Sequence, residues 1–388
     1  MDTYRHAPLA PTALMLGNFV TGMSVLAPAG MLIELSSDLN VSVRNAGLLI
    51  TFGAIVLGVG SPLTAWLTSR IERWRLLVVT LAVMTLTNAA SAFATDFDML
   101  MAIRLVMLAV GVIFTPQAAG VAGFIAPPEK RASTISYLFL GWSLATAIGL
   151  PLVTLAASQF GWRTAYAGIA ALGLVSTLML AWRLPRGLAG TPVDLATWIA
   201  LARSKLVLLL LAGTMLQIAG QFVIFTFMGP LLLLLTGASP QAIGFVFAAY
   251  GIGGFVGNII ATRIVDGWGA YRTSLLFTGC LFVGASIWAL GAGFFAVMAT
   301  GVAVWGLGFA ATNSMQQARL VGAAPTAPSA AVSLNTSSLY LGQAIGSAVG
   351  GALFGRELYA AMGFVAAGLI GLALFAVLAT RRFSRADA

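Results

Sequence analysis

Long apolar runs, each close to the length of a bilayer crossing, alternate along this chain with short basic or glycine- and proline-containing breaks. A helix needs roughly 20 apolar residues to cross the hydrocarbon core. Runs of that length fall at 9–33, 45–68, 76–94, 99–124, 133–156 and 163–183, and again at 206–236, 241–265, 273–293, 295–318, 331–354 and 359–380. The stretch Ser274–Met315 carries no charge. As one helix it would be about twice the bilayer thickness, so a fold-back is expected near Gly291–Gly293. The pattern therefore predicts an all-α membrane protein of twelve transmembrane helices.

One segment interrupts the pattern. Between Arg183 and Lys205 stand Arg186, Asp194 and Arg203 among prolines and glycines, making five charges in all. It divides the chain into a six-helix bundle at 1–184, a linker at 185–205 and a second six-helix bundle at 206–388. Thr191, Pro192 and Asp194 suit a helix start. Leu195, Trp198, Ile199 and Ala202 recur at helical spacing, which predicts a short amphipathic helix on the membrane surface; a plain solvated loop is the alternative.

Composition agrees: 60% of residues are hydrophobic and 8% charged, against about a quarter charged in an ordinary soluble domain. The net charge of +9 does not point to nucleic acid, because the basic residues punctuate apolar runs instead of clustering with aromatics. Arg5 and Ala27-Pro28-Ala29 loosely resemble a signal peptide, but the proline and the apolar span that follows favour an uncleaved first helix. Alternate loops hold 16 basic residues (among them Arg70, Arg73, Arg75, Lys130, Arg183, Arg263 and Arg272) against Arg44, Arg163 and Arg356 in the others. Positive residues stay inside, so both termini and the linker are expected in the cytoplasm. A single cysteine, Cys280, and a single histidine, His6, leave no basis for a disulfide or a metal centre, and no cofactor is expected.

The halves also repeat. An offset of 197 pairs Gly47 with Gly244, Gly60 with Gly257, Gly111 with Gly308 and Gly149 with Gly346, and carries the loop at Ser69 onto that at Asp266. Two parallel six-span repeats with a site between them are a transporter architecture. The first of these loops, with Ala65, Leu67, Arg70, Glu72, Arg73 and Arg75, resembles the signature loop between spans 2 and 3 of the major facilitator superfamily. Ser69 replaces the family's Asp and Glu72 its second Gly; the second-half loop keeps Asp266 and Gly269 but has Gly267 for Arg. Arg104 with Gly111 is similar to the family's span-4 segment. Gly141, Gly149 and Pro151 resemble the span-5 motif of its antiporters, and Phe160-Gly161-Trp162-Arg163 resembles its drug and sugar efflux branch. The resemblance implies the twelve-helix major facilitator fold, a signature loop that latches the cytoplasmic side, and export of a drug-like or sugar-like molecule by alternating access with proton coupling. A uniporter or importer of the same fold is the alternative. A membrane-embedded enzyme is the remote one, since no span holds a histidine or a paired carboxylate.

Polar side chains 9 to 15 residues into a span lie near the midplane. Asn18, Trp142, Gln217, Gln221, Tyr340 and Gln343 meet that condition in spans which, by the resemblance, line the cavity, and are the candidate substrate-binding residues; the alternative for each is that it joins two helices. Asn88 is at similar depth but in a span the resemblance places at the periphery. Gln117, Asn313, Gln316 and Gln317 are expected in an inner vestibule. All eleven acidic residues fall in loops or at span ends, which favours a neutral or weakly polar substrate. Arg104, expected about 8 Å below the outer surface, stays charged and needs a partner or water; Glu34 is the nearest expected carboxylate, and the alternative is that Arg104 snorkels to the surface while Glu34 merely ends its helix. Glu34, Arg104, Arg70, Glu72, Arg73 and Asp266 are thus the coupling or gating candidates, and Gly141, Gly149 and Pro151 the helix-packing ones. The expected partners are the lipid bilayer, a small molecule and protons, with the chain working as a monomer in a bacterial inner membrane.

Overall fold

The computed structural model describes residues 9–68, 70–126, 131–188, 201–324 and 328–383. The amphipathic helix expected over Thr191–Ile199 lies outside the described residues.

The described chain is built of helices. The first half holds α1 (Ala10–Gly30), α2 (Leu32–Asp38), α3 (Val43–Leu67), α4 (Arg73–Ser91), α5 (Phe97–Gly111), α6 (Phe114–Ile125), α7 (Arg131–Leu144), α8 (Leu150–Phe160) and α9 (Trp162–Arg183). The second holds α10 (Lys205–Phe225), α11 (Met228–Thr236), α12 (Pro240–Leu290), α13 (Phe295–Ala323), α14 (Pro328–Phe354) and α15 (Tyr359–Phe383). Ten of the described stretches are long and apolar enough to cross a membrane. Helix starts are fixed by side-chain caps: Ser42, Asp96, Ser204 and Ser239 accept from the amides of Asn45, Met99, Val207 and Ala242. The expected fold-back is present, with α12 ending at Leu290 and Gly293 at φ 96° before α13 begins. The break expected between 265 and 273 narrows to one residue, Gly269, whose φ of 77° interrupts α12.

Several expected spans are not single rods. The run at 99–124 parts into α5 and α6 at Val112–Ile113, just before Pro116. That at 133–156 widens into a π-turn, Ala145–Gly149, before Pro151, and that at 206–236 breaks at Thr226–Phe227 before Pro230. Proline lacks the N–H that the carbonyl four residues earlier would accept, and its ring crowds that carbonyl. Each break falls within that reach.

Glycines set the helix contacts. A Cβ at Gly141 would overlap the Met15 carbonyl, so α7 touches the backbone of α1. Gly342, Gly346 and Gly350 seat α14 likewise on the carbonyls of Met215, Ala219 and Val223 in α10. Met15 with Gly141 and Met215 with Gly342 are the same contact, displaced by 200 and 201 residues. Gly111 on Met84 and Gly308 on Leu281 are another, displaced by 197. The repeat is thus visible in packing, but Gly149, which meets Met23, corresponds to Gly350 on Val223 and not to Gly346. Loops of unequal length move the offset by about one helical turn.

The halves meet along two seams. In one, α3 lies on α14, with Thr51 Oγ1 donating to Ser347 Oγ at 2.9 Å and Gly58 against Leu341. In the other, Gly251 of α12 sits so close to Ala147 that any side chain would overlap its backbone nitrogen, and Gly244 faces Pro151. Gly47 under the Phe227 ring and Gly355 beside Arg44 extend the closure to the bundle end where α3 and α12 begin; below, this is the gate end.

Candidate functional site

The first polar layer forms because Gly141 lets α7 approach α1. The contact brings the Leu138 carbonyl to 3.1 Å from Asn18 Nδ2. Asn18 Oδ1 accepts from Thr115 Oγ1 at 2.6 Å, and Thr115 in turn receives Trp142 Nε1 at 3.3 Å. Asn18 is fully buried with both ends of its amide bonded, so it holds α1, α6 and α7 together. Thr115 had not been expected; its position one residue before Pro116 was the available signal.

The second layer lies in the other half. Gln221 Oε1 accepts from Trp305 Nε1 at 2.8 Å and from Tyr250 at 3.4 Å. Around this pair the Phe225, Phe247 and Phe309 rings pack with centroids 5.0–6.4 Å apart. The Nε2 donors of Gln217 and Gln221 are buried without any partner. Tyr340 and Gln343, on α14, are buried and make no hydrogen bond among the described residues. These four flank the crossing where Gly342 and Gly346 press on Met215 and Ala219. The structure therefore joins Asn18 to Trp142 through Thr115, and Gln221 to Tyr250 and Trp305; among the described residues no hydrogen bond joins the two sets, or ties Gln217, Tyr340 or Gln343 to either. Tyr250 and Trp305 are further members that one sequence did not single out among its many aromatics.

A third network lies toward the basic end. Thr214 donates to Asn335 Oδ1 at 2.8 Å, Gln316 Nε2 donates to the Leu210 carbonyl at 2.9 Å, and Arg319 reaches Gln316 Oε1 at 3.1 Å, Ser274 and Thr380. Gln316 is thus a buried connector of helices, not an exposed vestibule residue.

Arg104 is 1% exposed and is held by backbone. Nε donates to the Leu49 carbonyl at 2.7 Å, Nη1 to Ser24 at 3.0 Å and Nη2 to Val25 at 2.6 Å. The expected pairing with Glu34 does not form, because α1 ends at Gly30 and Glu34 stands on the separate α2. Ser24 also ties in Asn88, whose Nδ2 donates to its Oγ at 2.9 Å. Asn88 therefore faces α1 instead of the periphery.

Glu34 lines a cavity of about 20 Å³ between the halves at the gate end, with Thr154, Pro230, Pro240 and Ile243. Thr154 Oγ1 has no partner there. Burial raises the Glu34 carboxyl above its ordinary value. At the same end Asp38 accepts from Arg163 and from Trp162 Nε1, which lowers its carboxyl.

At the opposite end the signature loop docks on the start of the linker. Glu72 bonds Arg75 at 3.2 Å and accepts from the Gly187 amide at 2.6 Å. The Arg73 amide donates to the Leu188 carbonyl at 2.9 Å, its side chain reaches the Thr68 carbonyl, and Arg186 lies over Trp74. Arg70 and Asp266 are exposed, and neither forms an ion pair among the described residues.

The sequence model of the Major Facilitator Superfamily matches residues 14–235 and 210–387. The chain is 31% identical over 372 residues to an inner membrane transport protein, YdhP, of Escherichia coli O157:H7, covering 94% of each. It is 28% identical over 367 residues to a probable sugar efflux transporter of Mannheimia succiniciproducens (92% of this chain, 89% of the relative). It is 27% identical over 375 residues to a chloramphenicol efflux pump of Mycobacterium tuberculosis (94% and 90%). Among solved structures, the nucleoside transporter NupG (D323A mutant) superposes with a TM-score of 0.78 at 14% identity, covering 97% of this chain and 100% of that one, which shows a shared fold.

Proposed function

The chain belongs to the Major Facilitator Superfamily and is an integral membrane transporter, and from that premise we propose that it exports a neutral, acceptor-bearing small molecule across a bacterial inner membrane, driven by protons. The observation that carries the substrate class is the pair of buried, unpartnered amide donors, Gln217 Nε2 and Gln221 Nε2. A buried donor without a partner costs about 1–3 kcal/mol, which a carbonyl or hydroxyl oxygen of the substrate would relieve. No described carboxylate lies within a spanning stretch near them to favour a cation: Glu34 and Asp38 are on the short α2, Asp266 is three residues before the Gly269 interruption of α12, and the others lie in loops or at helix starts. Trp142, Tyr340 and Gln343 complete the binding set, with Asn18 holding Trp142's helix in place. Export, and a sugar-like or drug-like substrate, follow the names of the efflux relatives.

Counting α12 as two crossings and adding α14 to the ten apolar stretches makes twelve (10 + 1 + 1). The excess of basic loops favours a cytoplasmic basic end, with both termini and the linker there, and the gate end outside. In this reading the halves, 1–184 and 206–388, are closed outside. Glu34 in the gate cavity is the proton-binding candidate, and the signature loop acts by holding the linker through Glu72 and Arg73. Arg104 braces α1 through the Ser24 and Val25 carbonyls and serves the gate indirectly. The absence of a mid-span carboxylate favours facilitated diffusion as the second mechanism.

The deciding experiment is transport in proteoliposomes, as monomer, over a panel of sugars, nucleosides and amphenicol-like neutral drugs, with and without an imposed pH gradient. Accumulation against a gradient only when protons flow the other way is expected. Equilibration unaffected by pH would leave the uniporter; uptake of cations alone would overturn the substrate class.

A further inference from the structure

A shallow groove of about 650 Å³ runs along the outside of the second half, on α12 beyond Gly269 and on α13. Leu275, Leu276, Gly279 and Val283 lie along one helical face, and Val304 forms the far wall. Gly279 makes the hollow: a Cβ there would meet nothing within 4 Å, so a larger side chain would fill it. The groove is open to the bilayer, with Trp268, Leu276 and Val283 at 52%, 41% and 48% exposure.

Its basic end differs from the rest of the apolar surface. Arg272 is exposed at the mouth, beside Trp268. Behind the mouth, the ring of the preceding residue, Tyr271, lies 5.5 Å from the Arg319 guanidinium, whose N–H groups are held by Ser274, Gln316 and Thr380. Neither arginine pairs with a carboxylate; the described ion pairs are Arg75 with Glu72 and Arg163 with Asp38. Nearby in sequence, Asp266 and Arg263 offset one another, leaving an excess of positive charge where an interfacial tryptophan and an acyl-sized hollow converge. We propose that this groove binds an anionic phospholipid, its acyl chain over Gly279 and its phosphate on Arg272. Basic pockets between spanning helices bind anionic headgroups by this combination.

The test uses the full-length protein in a neutral detergent, titrated with equimolar phosphatidylglycerol and phosphatidylcholine of matched chains, with bound lipid counted by native mass spectrometry. Cys280 lies in the groove wall and is the chain's one cysteine, so its alkylation by N-ethylmaleimide reports occupancy at the site. Phosphatidylglycerol should be preferred about fivefold, a factor of the size one interfacial cation supplies, and should slow Cys280 alkylation. Arg272→Gln should remove the preference, and Gly279→Leu should abolish binding of both lipids; both positions are solvent- or lipid-facing, and a thermal melt checks folding. Equal binding of the two lipids, preference surviving Arg272→Gln, or Cys280 protected by a second copy of the chain without added lipid would each overturn the proposal.

Discussion

Pro28 and Arg104 answer one another across two helices. Pro28 has no N–H to give the Ser24 carbonyl four residues before it, and Arg104 Nη1 donates to that carbonyl at 3.0 Å. A buried guanidinium is costly without partners; here a helix defect provides one, and the neighbouring Val25 and Leu49 carbonyls provide two more. Gly53 contributes by leaving room: a Cβ there would stand 3.7 Å from Arg104 Nε and overlap Leu108.

This relationship predicts a specific coupling. Arg104→Gln should destabilise the protein by about 1–3 kcal/mol, by stranding a buried acceptor. Adding Pro28→Ala restores an N–H for Ser24, so the double variant should lose less than the sum, by roughly 1 kcal/mol. Arg104→Gln with Glu34→Gln should instead be additive within about 0.5 kcal/mol, since the two side chains are not paired. Melting in detergent measures all of these.

The glutamines should separate by role. Gln221→Ala removes the acceptor of Trp305 and Tyr250, so it should lower stability by about 1–3 kcal/mol and also impair transport. Gln217→Ala relieves an unmet donor, so it should raise KM with little change in melting temperature. If Gln217→Ala melted early yet bound substrate normally, Gln217 would be helix glue.

Gly251 should control the closed gate. Gly251→Leu forces a side chain into the Ala147 backbone, and overpacking costs about 1–3 kcal/mol, enough for a roughly tenfold shift between two states. In a Cys280→Ser background, a cysteine at Thr154 should react with an impermeant thiol reagent about ten times faster when Gly251→Leu is added. No change would mean the seam does not gate.

Two carboxyls at the gate end predict opposite pH effects. Glu34 is raised by burial, so the closed gate favours its neutral form. That stabilisation is complete below about 4.5 and fades as pH rises through the raised value; Glu34→Gln should keep the Thr154 cysteine protected at all pH values. Asp38 is lowered by the bonds from Arg163 and Trp162. Its contribution is present above 3.8 and is lost as pH falls through the lowered value. Being half-exposed, the pair should contribute less than about 1 kcal/mol, read as a small difference between wild type and Asp38→Asn that vanishes in acid.

Topology is checked with single cysteines in the same background. Those at Ser37 and Asp96 should react from outside intact cells, and those at Thr191 and Ser384 only after permeabilisation. Labelling at Thr191 from outside would overturn the twelve-span topology.

What could be read from the sequence depended on range. The apolar runs located the helices, because lipid forces every spanning backbone to satisfy itself, and the fold-back at Gly291–Gly293 followed from length alone. Pro116, Pro151 and Pro230 were visible too, yet whether a proline bends a span or parts it depends on which neighbour meets the freed carbonyl. Gln217 and Gln221 could be placed on one face by their spacing of four, whereas the partners of Gln221, Tyr250 and Trp305, are 29 and 84 residues away from it. The Glu34 expectation failed for the same reason: charge suggested a partner for Arg104, but backbone carbonyls carry no mark in a sequence.

In α14, adjacent residues face opposite neighbours: Leu341 and Ser347 meet α3, while Gly342 and Gly346 meet α10. Over 341–352 the positions left exposed are Ile345, Ala348 and Ala352, a single stripe about one side chain wide. A mutational scan of this helix should therefore show tolerance recurring every three to four residues along that stripe and little elsewhere, because its other faces are claimed by two neighbours at once.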